Sequence, residues 1–113
     1  MKKNDKIRDE IAQEISDELK SLLKSKLRRL ILYGSYAYGI PDKDSDIDIL
    51  ALVDVENDEL AQYNNKIAEI VSSICMKHGI LPSIILESSD RFFKYFEVMP
   101  FYQNVQKGII LYV

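Results

Sequence analysis

Asp46 and Asp48 flank Ile47 at the head of an apolar run that continues through Ile49, Leu50, Ala51, Leu52 and Val53. In an extended strand alternate side chains share a face, so the two carboxylates project together, about 6.5 to 7 Å apart along the backbone. Ile47, Ile49 and Ala51 take the opposite face, while Leu50 and Leu52 continue the carboxylate face away from its charged end. Paired hard oxygen ligands at a sheet edge suit magnesium, which keeps several waters and shares its coordination with substrate phosphates. Upstream, Gly34-Ser35 closes a second apolar run, Leu30 to Tyr33, with ten residues between Ser35 and Asp46. Gly34 lets the backbone approach a phosphate closely, and the Ser35 hydroxyl and neighbouring amides can donate to it. Asp is depleted in strands, so its appearance twice on one face asks for a chemical reason.

The elements around these groups must hold them at the edge of a small sheet. From Asp5 to about Lys26, Ile7, Ile11, Ile15, Leu19, Leu22 and Leu23 recur at three- and four-residue spacing, which predicts a long amphipathic helix. Leu27 to Tyr33 reads as a buried strand; residues 34–45, with two glycines and Pro41, as a loop; and residues 46–53 as a second strand. Residues 57–78 place Leu60, Tyr63, Ile67, Ile70, Val71, Ile74 and Cys75 on one helical face, with Gly79 as the stop. Leu81 to Leu86 is a third strand in which Pro82 favours the beginning or an edge. Ser88 or Ser89 can cap a short helix, and a further helical turn after Pro100 leads to Gly108 and a short last strand at 109–113. The expected fold class is α/β (α+β), a small mixed sheet of three or four strands flanked by helices. One domain spanning residues 1–113 is expected, without room for a separate recognition module.

With 47% hydrophobic and 29% charged residues, the composition is that of an ordinary globular chain. Fifteen Lys plus Arg against eighteen Asp plus Glu give a net charge of -3, which offers nothing to DNA or an acidic membrane surface. Lys20, Lys24, Lys26, Arg28 and Arg29 read as the solvated end of a helix. The single cysteine, Cys75, excludes an intramolecular disulfide and reads as a small core residue. His78 reads as a helix C-terminal residue. The N-terminal residues alternate charged with apolar, unlike a secretion signal or membrane span, so a cytoplasmic location is expected. The aromatic cluster Phe92, Phe93, Tyr95, Phe96, Phe101 and Tyr102 reads as core, or else a partner-facing surface, ahead of a base-stacking platform.

The segment from Leu32-Tyr33-Gly34-Ser35 through Ser45-Asp46-Ile47-Asp48-Ile49-Leu50 resembles the signature of the minimal nucleotidyltransferases, the smallest members of the DNA polymerase beta-like nucleotidyltransferase superfamily. The order of elements from the first helix through the third strand matches that fold. The resemblance implies that Gly34 and Ser35, with Ser45 of the same signature, hold the triphosphate of ATP, while Asp46 and Asp48 bind two magnesium ions. A substrate hydroxyl would attack the α-phosphate and pyrophosphate would leave, the two metals clamping both oxygens. It further implies a HEPN-domain ribonuclease toxin as partner, a toxin tyrosine as AMP acceptor, and an antitoxin role for this chain. Two positions depart from the family pattern: Tyr38 stands where many members have arginine, and Ser83 stands where a third carboxylate is expected. Glu87 has the strand parity of Ser83 but lies about 13 Å further on, and Asp54 lies about 20 Å along its strand from Asp48. A second reading is therefore a binding module that neutralises its toxin by contact alone. A third is transfer to a small molecule or an RNA end, which the short chain and its negative charge disfavour.

Overall fold

A computed structural model describes residues 3–34 and 47–112. Four strands and four α-helices follow in the order α1 Lys3–Leu23, β1 Leu27–Tyr33, β2 Ile47–Val53, α2 Asn64–His78, β3 Pro82–Ser88, α3 Ser89–Tyr95, α4 Pro100–Gln106 and β4 Ile109–Tyr112. The strands form one sheet in the order β3-β2-β1-β4. β1 runs antiparallel to both β2 and β4, and β2 runs parallel to β3, so the sheet is mixed, as expected. Among the described residues no helix is long and apolar enough to cross a membrane.

Strand alternation divides the interior into two cores. On one face Leu30, Leu32, Ile47, Ile49, Ala51 and Val53 pack against Ile11, Ile15, Leu19 and Leu23 of α1 and Ile70 and Ile74 of α2. On the other, Ile31, Leu50 and Leu52 pack against Phe92 of α3 and Tyr102 and Val105 of α4. Each such fully buried side chain contributes roughly 1.5 to 3 kcal/mol, which is why the apolar spacing of α1 overrides the modest propensities of its polar residues.

Three expectations change. The first helix was expected to reach Lys26 but ends at Leu23, because Lys24 takes a φ of 52° and the chain tightens into a 3-10 turn over Lys24–Lys26. The helix expected over 57–78 is α-helical only from Asn64; Asn57–Tyr63 is 3-10, and none of its residues is buried deeply enough to reward a continuous α-helical stripe. Cys75 is half-buried rather than core. Gly79, at φ 71°, caps α2 with its N–H donating to the Cys75 carbonyl at 2.9 Å, as the sequence predicts. Pro82 opens β3, and β3 is an edge strand. Ser88 caps α3 by accepting from the Arg91 N–H.

Glu14 of α1 ties the two long helices together: one of its oxygens accepts from Lys77 Nζ and from His78 Nε2, each at 2.9 Å. Lys77 first, then His78, hold the Glu14 carboxyl below its ordinary value of 4.5. A depressed folded-state value means that this contribution is present above that ordinary value and is lost as the pH falls through the folded one. Glu14 is about one-third exposed, so the tie is worth less than about 1 kcal/mol. Glu14→Gln is expected to lower stability by that amount at neutral pH and to make no difference in strong acid, as read by urea unfolding at both.

Candidate active site

The end of β1 and the start of β2 build the site. Antiparallel pairing sets Tyr33 opposite Asp48, and the next residue, Gly34, turns away at φ 79°. A Cβ at position 34 would collide with Asp48 Oδ2. Glycine is thus required there twice, by the backbone angle and by the carboxylate lying against it. Across the other side, parallel pairing sets Ser83 opposite Asp48. Ser83, Asp48 and Tyr33 therefore form a row over three adjacent strands, each step about 4.8 Å. The row continues the face of Ile31, Leu50 and Leu52, covered further along by α3 and α4. Of the residues singled out in the sequence, Gly34 and Asp48 come together; Ser35, Tyr38, Ser45 and Asp46 lie outside the described residues.

Tyr33 is a site neighbour that the sequence reading passed over. Burial first, and the charge of Asp48 second, push its phenol up to about 12. Its ring meets Phe101 edge-on with centroids 5.7 Å apart. The signal for Tyr33 was present in its position one residue before Gly34, opposite the paired-acid strand. Phe101 gave none, because its place beside Tyr33 depends on how α4 docks.

Residues 12–107 match the family described as nucleotidyltransferase domain. The chain belongs to this family. Two curated Methanocaldococcus jannaschii proteins are similar to this nucleotidyltransferase. "Putative protein adenylyltransferase MJ0604" is 33% identical over 88 residues, spanning 77% of this chain and 80% of the relative. "Putative protein adenylyltransferase MJ0141" is 43% identical over 61 residues, spanning 54% of this chain and 60% of the relative. A solved structure described as "Crystal structure of the toxin-antitoxin with AMP-PNP" has the same fold, with a TM-score of 0.50 and 21% identity over 76% of this chain and 67% of that one.

The nucleotidyltransferase has no described carboxylate in line with Asp48 on β3. Glu87 lies opposite Leu52, four residues beyond Ser83, and β3 runs through without a turn that would bring it back. Its carboxylate faces Arg91 Nε at 3.8 Å and the Tyr102 hydroxyl, whose value burial and Glu87 raise. Asp54 is engaged with Arg28 at 2.7 Å. Among the described residues no group of three or more His, Cys, Asp or Glu could hold a metal ion. The basic residues at the end of α1 and in β1 are occupied at the surface: Lys20 lies over the Tyr112 ring and Arg29 over Phe93. A groove of ≈ 400 Å³ between α1 and α2, lined by Glu14, Glu18, Lys66 and Glu69, opens on the face of the sheet away from Asp48.

Proposed function

We propose that this nucleotidyltransferase moves AMP from ATP to a hydroxyl of a protein, a tyrosine of a HEPN ribonuclease toxin, and so acts as an antitoxin in the cytoplasm. The observation that carries the nucleotide part is the seat of Asp48 against Gly34, a backbone cradle and a carboxylate held in one place by strand register. The adenylyltransferase names of the two relatives and the AMP-PNP toxin-antitoxin neighbour support the choice of nucleotide and partner.

The donors fit magnesium. Asp48 and the adjacent Ser83 offer hard oxygens, and the sequence supplies a second carboxylate, Asp46, two residues before Asp48. Magnesium, two ions in all, would supply positive charge to the attacking and leaving oxygens. Asp46 and Asp48 would hold the magnesium, and the Ser35 and Ser45 hydroxyls would donate to the triphosphate. The acceptor oxygen bonds to the α-phosphorus as the bond to pyrophosphate breaks; pyrophosphate leaves with the bonding pair, and the phenolic proton is released.

Incubation with labelled ATP, magnesium and the neighbouring gene product tests this directly. Label on a toxin tyrosine is the expected result. No label on any target, with neutralisation surviving Asp46→Ala plus Asp48→Ala, would sink it in favour of neutralisation by contact, which Ser83 in place of a third acid favours.

Ser83 itself gives a sharper expectation. Ser83→Asp sets a carboxylate directly beside Asp48 and raises the charge of the donor set, so magnesium is expected to bind about tenfold more tightly. The magnesium dependence of the transfer rate reads this, and an unchanged or weaker dependence would show that position 83 does not face the metal.

A further inference from the structure

The row Ser83, Asp48, Tyr33 is unequal at its two ends. On the β3 side stands a small hydroxyl on an edge strand; on the β1 side stands an aromatic wall. Tyr33 is partly buried against the second core and braced edge-on by Phe101, with the ring planes at 85°. Phe101 follows Pro100 at the first turn of α4, so its backbone is fixed, and the neighbouring Tyr102 is buried in the core. Phe101 nevertheless stays 38% exposed. A ring held by an edge contact keeps at least one face clear of that neighbour.

The geometry also sets the reach. Side chains opposite each other on antiparallel strands stand about 4.5 to 5.5 Å apart at Cβ, which places Tyr33 beside Asp48. One ring further, at 5.7 Å, is Phe101. A nucleotide with its phosphates at Gly34 and Asp48 has only a pentose between its α-phosphate and its base, and in this direction the base meets an aromatic surface.

We infer that Tyr33 and Phe101 form the nucleobase-contacting wall of the site, with the partly exposed ring of Phe101 stacking on the base, Tyr33 bracing that ring, and the Ser83 side left to the acceptor. This rests on the nucleotide reading above. It separates Phe101, whose ring meets Tyr33, from Phe93 and Tyr95, which are also exposed but lie on α3, where Phe93 packs edge-on with Phe92.

Binding of magnesium-ATP and of magnesium-tripolyphosphate, which has no base, tests the wall. The wild-type chain is expected to prefer ATP by roughly tenfold, as one stacked base gives. Phe101→Ala is expected to erase that preference while leaving tripolyphosphate affinity unchanged, and Phe101→Tyr to restore it. Phe101→Leu keeps apolar bulk without an aromatic face, so it answers the same question should the alanine variant unfold, and it too should lose the preference. Wild-type preference retained in both Phe101→Ala and Phe101→Leu would overturn the wall alone. Equal loss of ATP and tripolyphosphate in both variants would also overturn it, showing a structural role. A folded wild-type chain that binds neither ligand would instead overturn the nucleotide reading on which the wall depends.

Discussion

Asp48→Asn is expected to lower nucleotidyl transfer on the order of 10³-fold while leaving the unfolding midpoint nearly unchanged. The substitution keeps the shape of the side chain and removes only the charge that, in the proposed role, would hold a cation over the phosphates. Charge stabilisation of that kind contributes several kcal/mol at the transition state, and each 1.36 kcal/mol is a factor of ten. The fold rests chiefly on other groups, because Asp48 is the second residue of its strand and the residues that bury β2 are Ile47, Ile49, Leu50, Ala51, Leu52 and Val53. A second readout locates the effect. Asp48 contributes to the raised value of Tyr33, so in Asp48→Asn the phenol should titrate below about 12 yet still above 10.0, since burial is the larger cause. Ultraviolet titration follows this, and full transfer activity in the Asp46→Asn plus Asp48→Asn double variant would refute the metal role.

Gly34→Ala is expected to be nearly as damaging to activity and, unlike the first, to cost stability. The left-handed angle of 79° costs an L-residue roughly 1 to 2 kcal/mol. The added methyl also collides with the Asp48 carboxylate, which must swing out of its seat. Activity should therefore fall about as far as when the carboxylate is lost, and Gly34→Ala placed on Asp48→Asn should lower it little further, a non-additivity that marks two residues acting as one. Stability should behave differently. In Gly34→Ala with Asp48→Ala the collision is gone, so only the backbone penalty should remain in chemical denaturation. If both losses simply add, Gly34 does not act through Asp48.

Legibility in the sequence followed the strength of the local pattern. β1 was readable to the residue because four apolar side chains end at a glycine, and the two faces of β2 were readable from alternation alone. The family resemblance pointed to Ser83 as the third-carboxylate position, but only the parallel register of β2 and β3 sets it opposite Asp48. Residues 57–63 misled, because Leu60 and Tyr63 fit a helical stripe but are only half covered. The aromatic cluster was not divisible in advance: Phe92 and Tyr102 are core while Phe93, Tyr95 and Phe101 are exposed, and a seven-residue helix carries too few turns to show which side faces inward. The tie between Glu14 and His78 spans 64 positions and has no local mark at all.

The cross-strand pairing of Tyr33 with Asp48 also governs which length changes this chain can tolerate. Adding or deleting one residue inside β2 would turn Asp48 toward the α1 and α2 core and send an isoleucine to the site, and the same change inside β1 would exchange Tyr33 for Leu32, so strand lengths here are locked together. Length changes between relatives should therefore gather in connections that leave both the Tyr33–Asp48 register and the Ser35-to-Asp46 spacing untouched, where a longer loop costs only about 0.6 kcal/mol per doubling.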